Sequence, residues 1–234
     1  MPETAVITGA STGIGKSLAW QLADAGYRLV LAARSEDKLQ AIAKEIQQKG
    51  GESLPVPTDV SQPEQIKILK EKALDFGNVA VVVNNAGTGK FSNIENVTLA
   101  DWNRQIDVNL RASFLVSQAF IPHMKQKKKG SLIFINSVAG KKGYAYSAAY
   151  VASKFGLRGL AESLREELRE DNIKVVSIYP GAVDTPFWDD IQSDFPRDEM
   201  LNSDALAESI VHTIQAAGNF TVEEMVVRRT AGDF

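Results

Sequence analysis

Short apolar runs alternate with amphipathic stretches along the whole chain, and this alternation limits the possible folds most. The apolar runs fall at 5–7, 28–33, 53–58, 79–83, 132–136, 175–178 and 224–228. The run 79–83 is continuous, as in a strand covered on both faces. Between the runs, apolar residues recur at helical spacing; Leu39, Ile42, Ala43 and Ile46 are one example. Ser35 is placed to cap that helix and Gly50-Gly51 to stop it. Ser61 and Glu64 form a capping-box pattern for a helix to about 75. Long helices are predicted over 98–127, bent near Pro122, and over 148–170, with a shorter one over 204–216. Strand–helix alternation of this kind predicts an α/β fold. It is a Rossmann-like, doubly wound parallel sheet of about seven strands with helices on both faces. Residues 1–234 are read as one domain, with an irregular substrate loop over about 182–202.

In such a sheet the ligand crevice lies beyond the carboxyl ends of the strands. The glycines and polar residues of this chain cluster there: 8–15, Arg34, Asp59, 84–87, Ser137 and 180–185. The first cluster contains Gly9, Ser11, Thr12, Gly13, Ile14 and Gly15, between a strand and a helix. Glycine there permits a tight turn and close approach of a ligand, and the helix offers unpaired N–H groups to a phosphate. The spacing differs from the common G-x-G-x-x-G pattern, and taken alone it also fits an ordinary βα turn.

The chain has 234 residues, 44% of them hydrophobic, and a net charge of −3. That balance predicts no general attraction to nucleic acid or to an anionic membrane. With no cysteine and two histidines, His123 and His212, a metal site is not expected. The cluster Lys125, Lys127, Lys128 and Lys129 reads as a solvated helix end. No apolar run approaches the roughly 20 residues of a membrane span, and no signal-peptide pattern is seen, so a cytoplasmic protein is expected.

Tyr150 and Lys154 are one helical turn apart and share a face. A free tyrosine has a pKa of about 10, and a nearby ammonium favours its phenolate. Ser137, at the end of a strand, is a candidate to hold the same substrate oxygen. By spacing alone the pair equally fits a half-buried tyrosine and a snorkelling lysine.

Taken together, these residues resemble the short-chain dehydrogenase/reductase family, over essentially the whole chain. The motifs are Thr8-Gly9-x-x-x-Gly13-x-Gly15, Asp59, Asn84-Asn85-Ala86-Gly87, Asn109, Ser137, Tyr150-x-x-x-Lys154, and Pro180-Gly181 followed by Thr185. The resemblance implies Tyr150 as the general acid or base, Ser137 polarising the substrate oxygen, and Lys154 lowering the tyrosine pKa and bonding the nicotinamide ribose. It implies a water held by Asn109 in a proton relay. Asp59, with Val60 beside it, is implied at the adenine. Asn85, Ala86 and Gly87 are implied along the cofactor, and Pro180, Gly181, Val183 and Thr185 at the nicotinamide end. It also implies a carbonyl or alcohol substrate and a homodimer or homotetramer. In the paired long helices, Phe114, Leu115, Ala119, Leu157, Leu160 and Leu164 are candidates for the interface.

An NAD site usually carries an acid about 20 residues after the glycine turn, at the end of the second strand. Here Ala33 and Arg34 stand there. A guanidinium suits a 2′-phosphate, so NADP(H) is predicted. Within the family the chain resembles NADP-dependent carbonyl reductases and 3-hydroxy acid dehydrogenases, and its C-terminal stretch, without a Gly-Gly pair, resembles the tails of NADP-dependent 3-hydroxy acid or serine dehydrogenases. The substrate walls are expected from 139–147, the loop after Gly87, and 187–195. Tyr144, Tyr146, Phe187, Trp188 and Phe195 suggest a partly apolar lid; Lys141 and Lys142 offer an alternative of an acidic substrate or simple surface charge. A noncatalytic NADP(H) sensor is the alternative function, against which Asn109, Ser137, Tyr150 and Lys154 stand together. An epimerase or dehydratase would need more chain for a sugar-nucleotide domain.

Overall fold

The computed structural model describes residues 2–189, 191, 195–216 and 220–232. Among these, seven strands form one parallel sheet: β1 (Thr4–Thr8), β2 (Arg28–Ala33), β3 (Ser53–Pro57), β4 (Val79–Asn84), β5 (Gly130–Ile135), β6 (Ile173–Pro180) and β7 (Glu224–Val227). Their order is β3-β2-β1-β4-β5-β6-β7. The direction of winding therefore reverses between β1 and β4, which opens a crevice at the ends of those strands. Pro55 and Pro57 lack a ladder N–H, and β3 lies at the sheet edge, where that loss is tolerated.

The helices are α1 (Gly13–Asp24), α2 (Glu36–Gln48), α3 (Pro63–Phe76), α4 (Leu99–Ile106), α5 (Ala112–Lys127), α6 (Ala148–Leu168) and α7 (Ser203–Gln215). Leu18, Leu22, Leu39, Ile46, Leu206 and Ile210 bring α1, α2 and α7 onto one face of the sheet. Ile66, Leu69, Val116, Phe120, Leu157 and Ala161 bring α3, α5 and α6 onto the other. The apolar strands are thus buried from both sides, as their continuous hydrophobicity requires.

Three local expectations change. The Ser61–Glu64 capping box does not form: α3 starts at Pro63, and the Ser61 hydroxyl donates to Asp59 Oδ1 at 2.7 Å instead. A loop carboxylate outcompetes the helix end for that hydroxyl. The helical stretch predicted over 98–127 is interrupted at Asp107–Arg111 by a π-turn, whereas α5 continues through Pro122. Leu157 belongs to the core beneath α6, at 1% exposure, and is no interface residue; Phe114 and Phe155 are the large exposed apolar side chains of α5 and α6.

No helix among the described residues is long and apolar enough to cross a membrane. Residues 190 and 192–194 of the expected substrate loop, and 233–234 of the C-terminal stretch, lie outside the described residues.

Candidate active site

The glycine turn and the end of β4 are stitched together. The Thr8 hydroxyl donates to Val83 O at 3.1 Å and accepts from the backbone N–H of Asn85 and Ala86. Asn85 Nδ2 donates to the carbonyls of Thr8 and Gly9. Asn85 therefore braces the turn with its side chain, so its contact to a cofactor falls to its backbone. Gly9 and Gly13 have φ of +66° and +53°, where side chains are strained. A Cβ on Gly13 would stand 3.0 Å from Thr185, so its absence lets the loop after β6 close on the turn. A Cβ on Gly15 would stand 2.3 Å from Gly9 O; Gly15 is buried and seats α1 against the turn. The N-cap residue Thr12 makes no side-chain cap, which leaves the first amides of α1 available to an anion.

These residues face a cleft of about 2430 Å³. Gly9, Ser11, Thr12, Gly13, Ile14, Arg34, Asp59, Val60, Asn85, Ala86, Gly87, Ser137, Tyr150, Lys154, Pro180, Gly181, Val183 and Thr185 all line it. Of the residues predicted at the site, Gly15 and Asn109 do not. At one end, Arg34 is exposed, and Glu36 and Asp37 belong to the first turn of α2. Among the described residues, Arg34 forms no ion pair with either acid. Burial pushes the Asp59 carboxyl up, but hydrogen bonds from Ser61 and the nearby Arg34 and Arg104 outweigh it and hold it below its usual range. Both Ser61 bonds land on Oδ1, which leaves Oδ2 for a donor in the cleft.

At the other end stand Ser137, Tyr150 and Lys154. Ser137 caps the 3-10 turn Val138–Gly140 and accepts from Ala139 N at 3.1 Å. Burial pushes the half-buried Tyr150 phenol up to about 12, against a smaller downward pull from a Ser137 hydrogen bond. Lys154, 5% exposed, donates to Ile135 O at 2.9 Å, and burial lowers it to about 8. Its ammonium stands 5.7 Å from the Tyr150 ring centroid. The expected lowering of the tyrosine by Lys154 does not show in this balance, where desolvation dominates and the downward pull comes from Ser137.

Burying the Lys154 charge destabilises the fold below about pH 8, and the cost fades as pH rises toward 10.5, where the unfolded chain also loses the proton. Lys154→Met is therefore expected to melt about 3 °C higher than wild type at neutral pH, after allowing for the lost bond to Ile135. The gap should shrink at alkaline pH. Melting curves at both pH values check this; a Met variant less stable at neutral pH would contradict it.

Asn109 is 1% exposed. Its Nδ2 donates to Thr88 O and Ser153 Oγ, both at 2.9 Å, and its Oδ1 accepts from Thr88 N at 2.8 Å. It clamps the loop after β4 to α6 from within the π-turn, a distortion frequent at functional sites. Both Nδ2 protons are committed to this clamp, and Oδ1 accepts one bond and keeps a second lone pair.

Sequence reasoning missed several residues. Asn136, 3% exposed, accepts from Ser137 N and donates to Lys154 O, so it joins the serine turn to the helix of Tyr150. Arg197 bonds Asp184, Asp189 and Thr185 O, which ties down the segment after β6. Phe91 lies edge-on to Tyr150, with ring centroids 5.5 Å apart. Of these, only Phe91 carried a signal, as an aromatic in a loop already suspected. Lys141 is no surface charge: it pairs with Glu224 at 2.7 Å and lies over the Tyr179 ring.

A doubly wound parallel sheet with a glycine turn at the switch point and a Ser–Tyr–Lys group across the same cleft defines a Rossmann-type oxidoreductase. The short chain dehydrogenase family model matches residues 3–195. A sepiapterin reductase of Chlorobaculum tepidum is 32% identical over 241 residues, covering 100% of this chain and 98% of its own. Among solved structures, an alcohol dehydrogenase of the archaeon Thermococcus sibiricus complexed with 5-hydroxy-NADP has a TM-score of 0.91 and 33% identity, covering 98% of this chain and 97% of its own. A metagenomic short-chain oxidoreductase in complex with NADP has a TM-score of 0.86 and 36% identity, covering 97% of each chain. The chain belongs to the short-chain dehydrogenase family and is an oxidoreductase.

Proposed function

We propose that the protein is an NADP(H)-dependent carbonyl reductase, working in reverse as an alcohol dehydrogenase. The observation that carries this reading is the convergence of Ser137, Tyr150 and Lys154 at one end of a cleft whose other end holds the uncapped α1 amides and Arg34. Those amides and the glycines fit a pyrophosphate, and Arg34 fits a 2′-phosphate. The NADP named for the metagenomic and archaeal neighbours supports the same choice. Asp59 Oδ2 is available to an adenine amino group, and Val183 and Thr185 to the carboxamide.

Bound NADPH supplies a hydride. Ser137 holds and polarises the substrate oxygen. Tyr150, protonated at neutral pH, donates its proton to that oxygen as negative charge builds there. The Lys154 ammonium favours the phenolate that results. Asn136 and Asn109 keep the serine turn, the loop after β4 and α6 in register. Residues 182–202 form the substrate loop of this single domain, and the exposed Phe114 and Phe155 serve a homodimer or homotetramer. We place the protein in the cytoplasm.

Carbonyl reduction is expected to hold steady below about pH 8 and to fall above it, as Lys154 loses its proton. Alcohol oxidation should rise over the same range, because the proton must leave. Following NADPH absorbance with carbonyl and alcohol panels in both directions tests the function. NADPH binding without turnover of any compound would instead favour the noncatalytic sensor.

A further inference from the structure

Among the described residues, three stretches frame the space above Tyr150: 85–93 after β4, 137–147 after β5, and 181–188 with Ile191 and Phe195 after β6. The first and third meet through aromatic rings. Phe91 lies 6.4 Å from Phe187 and 6.3 Å from Trp188, nearly parallel to the latter at 18°. Phe187 lies 5.9 Å from Tyr150, and Phe195 extends the group at 5.7 Å from Trp188.

The group is held from behind. Trp188 Nε1 donates to Val183 O at 3.1 Å, and Arg197 bonds Asp184, Asp189 and Thr185 O. A Cβ on Gly89 would stand 2.6 Å from Phe187 Cζ, so a glycine there gives the ring its place.

The cations carried by these loops are turned to other partners. Lys90 pairs with Asp101 at 2.8 Å and Lys141 with Glu224 at 2.7 Å. Lys142 lies over Tyr144, and Arg197 is engaged as above. A carboxylate entering among these rings would lose water without gaining a counter-charge. A flat apolar group would gain edge and face contacts with rings already within aromatic contact distance of the tyrosine.

We infer that the substrate is an uncharged carbonyl compound with an aromatic ring beside the reacting carbon, the ring seated against Phe91, Phe187 and Trp188. This rests on the reading of Tyr150 as proton donor to a carbonyl. Phe91 is on this account a specificity-determining residue.

The test compares acetophenone, 2-butanone and acetoacetate as substrates with NADPH. kcat/KM for acetophenone should exceed that for 2-butanone about tenfold and that for acetoacetate about 100-fold. Phe91→Leu should raise KM for acetophenone about fivefold and leave that for 2-butanone within about twofold. In parallel, acetophenone added to the NADP+-saturated protein should quench tryptophan fluorescence saturably, and the quench should vanish in Trp188→Phe. Acetoacetate matching acetophenone, or Phe91→Leu raising both KM values equally, would overturn the inference and leave the reductase reading intact. A saturable quench without turnover would uphold the aromatic site and overturn the reductase reading. Neither quench nor turnover would overturn both.

Discussion

Tyr150→Phe is expected to lower kcat about 1000-fold while the Kd for NADPH stays within about threefold. The substitution removes one hydroxyl and keeps the ring, so the contacts with Phe91 and Phe187 remain. What disappears is the proton source and its bond with Ser137. The phenol, pushed up to about 12 by burial, stays protonated at neutral pH and so carries a proton to donate. Loss in kcat with NADPH affinity intact is the signature of an interaction made in the transition state. Stopped titration of NADPH fluorescence and steady-state turnover check both halves. A variant with more than about a tenth of wild-type kcat would remove Tyr150 from its role.

Arg34→Asp is expected to shift the NADPH:NADH ratio of kcat/KM about 100-fold toward NADH. A charge-assisted bond to the 2′-phosphate is exchanged for repulsion, and the new carboxylate can accept from a ribose hydroxyl. Arg34 is exposed and, among the described residues, unpaired with Glu36 or Asp37, so its melting temperature should barely move. An unchanged ratio would mean that Arg34 only decorates the mouth of the cleft.

The sheet was legible because strand and helix periods differ and because the apolar runs were long enough to show burial on both faces. The residues that gather in the cleft were legible because they follow strands, where a doubly wound sheet collects its polar groups. What escaped was set by contacts distant in sequence. A single π-turn of five residues is too short to show a period of its own in the sequence, and the distortion at Asp107–Arg111 accompanies the Asn109 bonds to Thr88 and Ser153. The side-chain bonds of Asn85 to Thr8 O and Gly9 O, and of Asn109 to Thr88 and Ser153, reach across the chain and left no mark in the local sequence. Gly15 was read as a ligand contact and instead seats a helix against Gly9 O. Lys141 meets Glu224 only because β7 lies beside β6. Phe91 joins Phe187 and Trp188 only because the loops after β4 and β6 meet across the cleft.

The central claim is direct hydride transfer between NADP(H) and a carbonyl carbon over Tyr150. The most direct measurement uses NADPH deuterated at C4, prepared separately on each face, with acetophenone and the wild-type protein in ordinary water. The alcohol formed is then weighed by mass spectrometry. The account predicts one deuterium on the carbinol carbon from one of the two labelled cofactors and none from the other. An alcohol without deuterium from either, or NADPH recovered unchanged beside unreacted ketone, would contradict it.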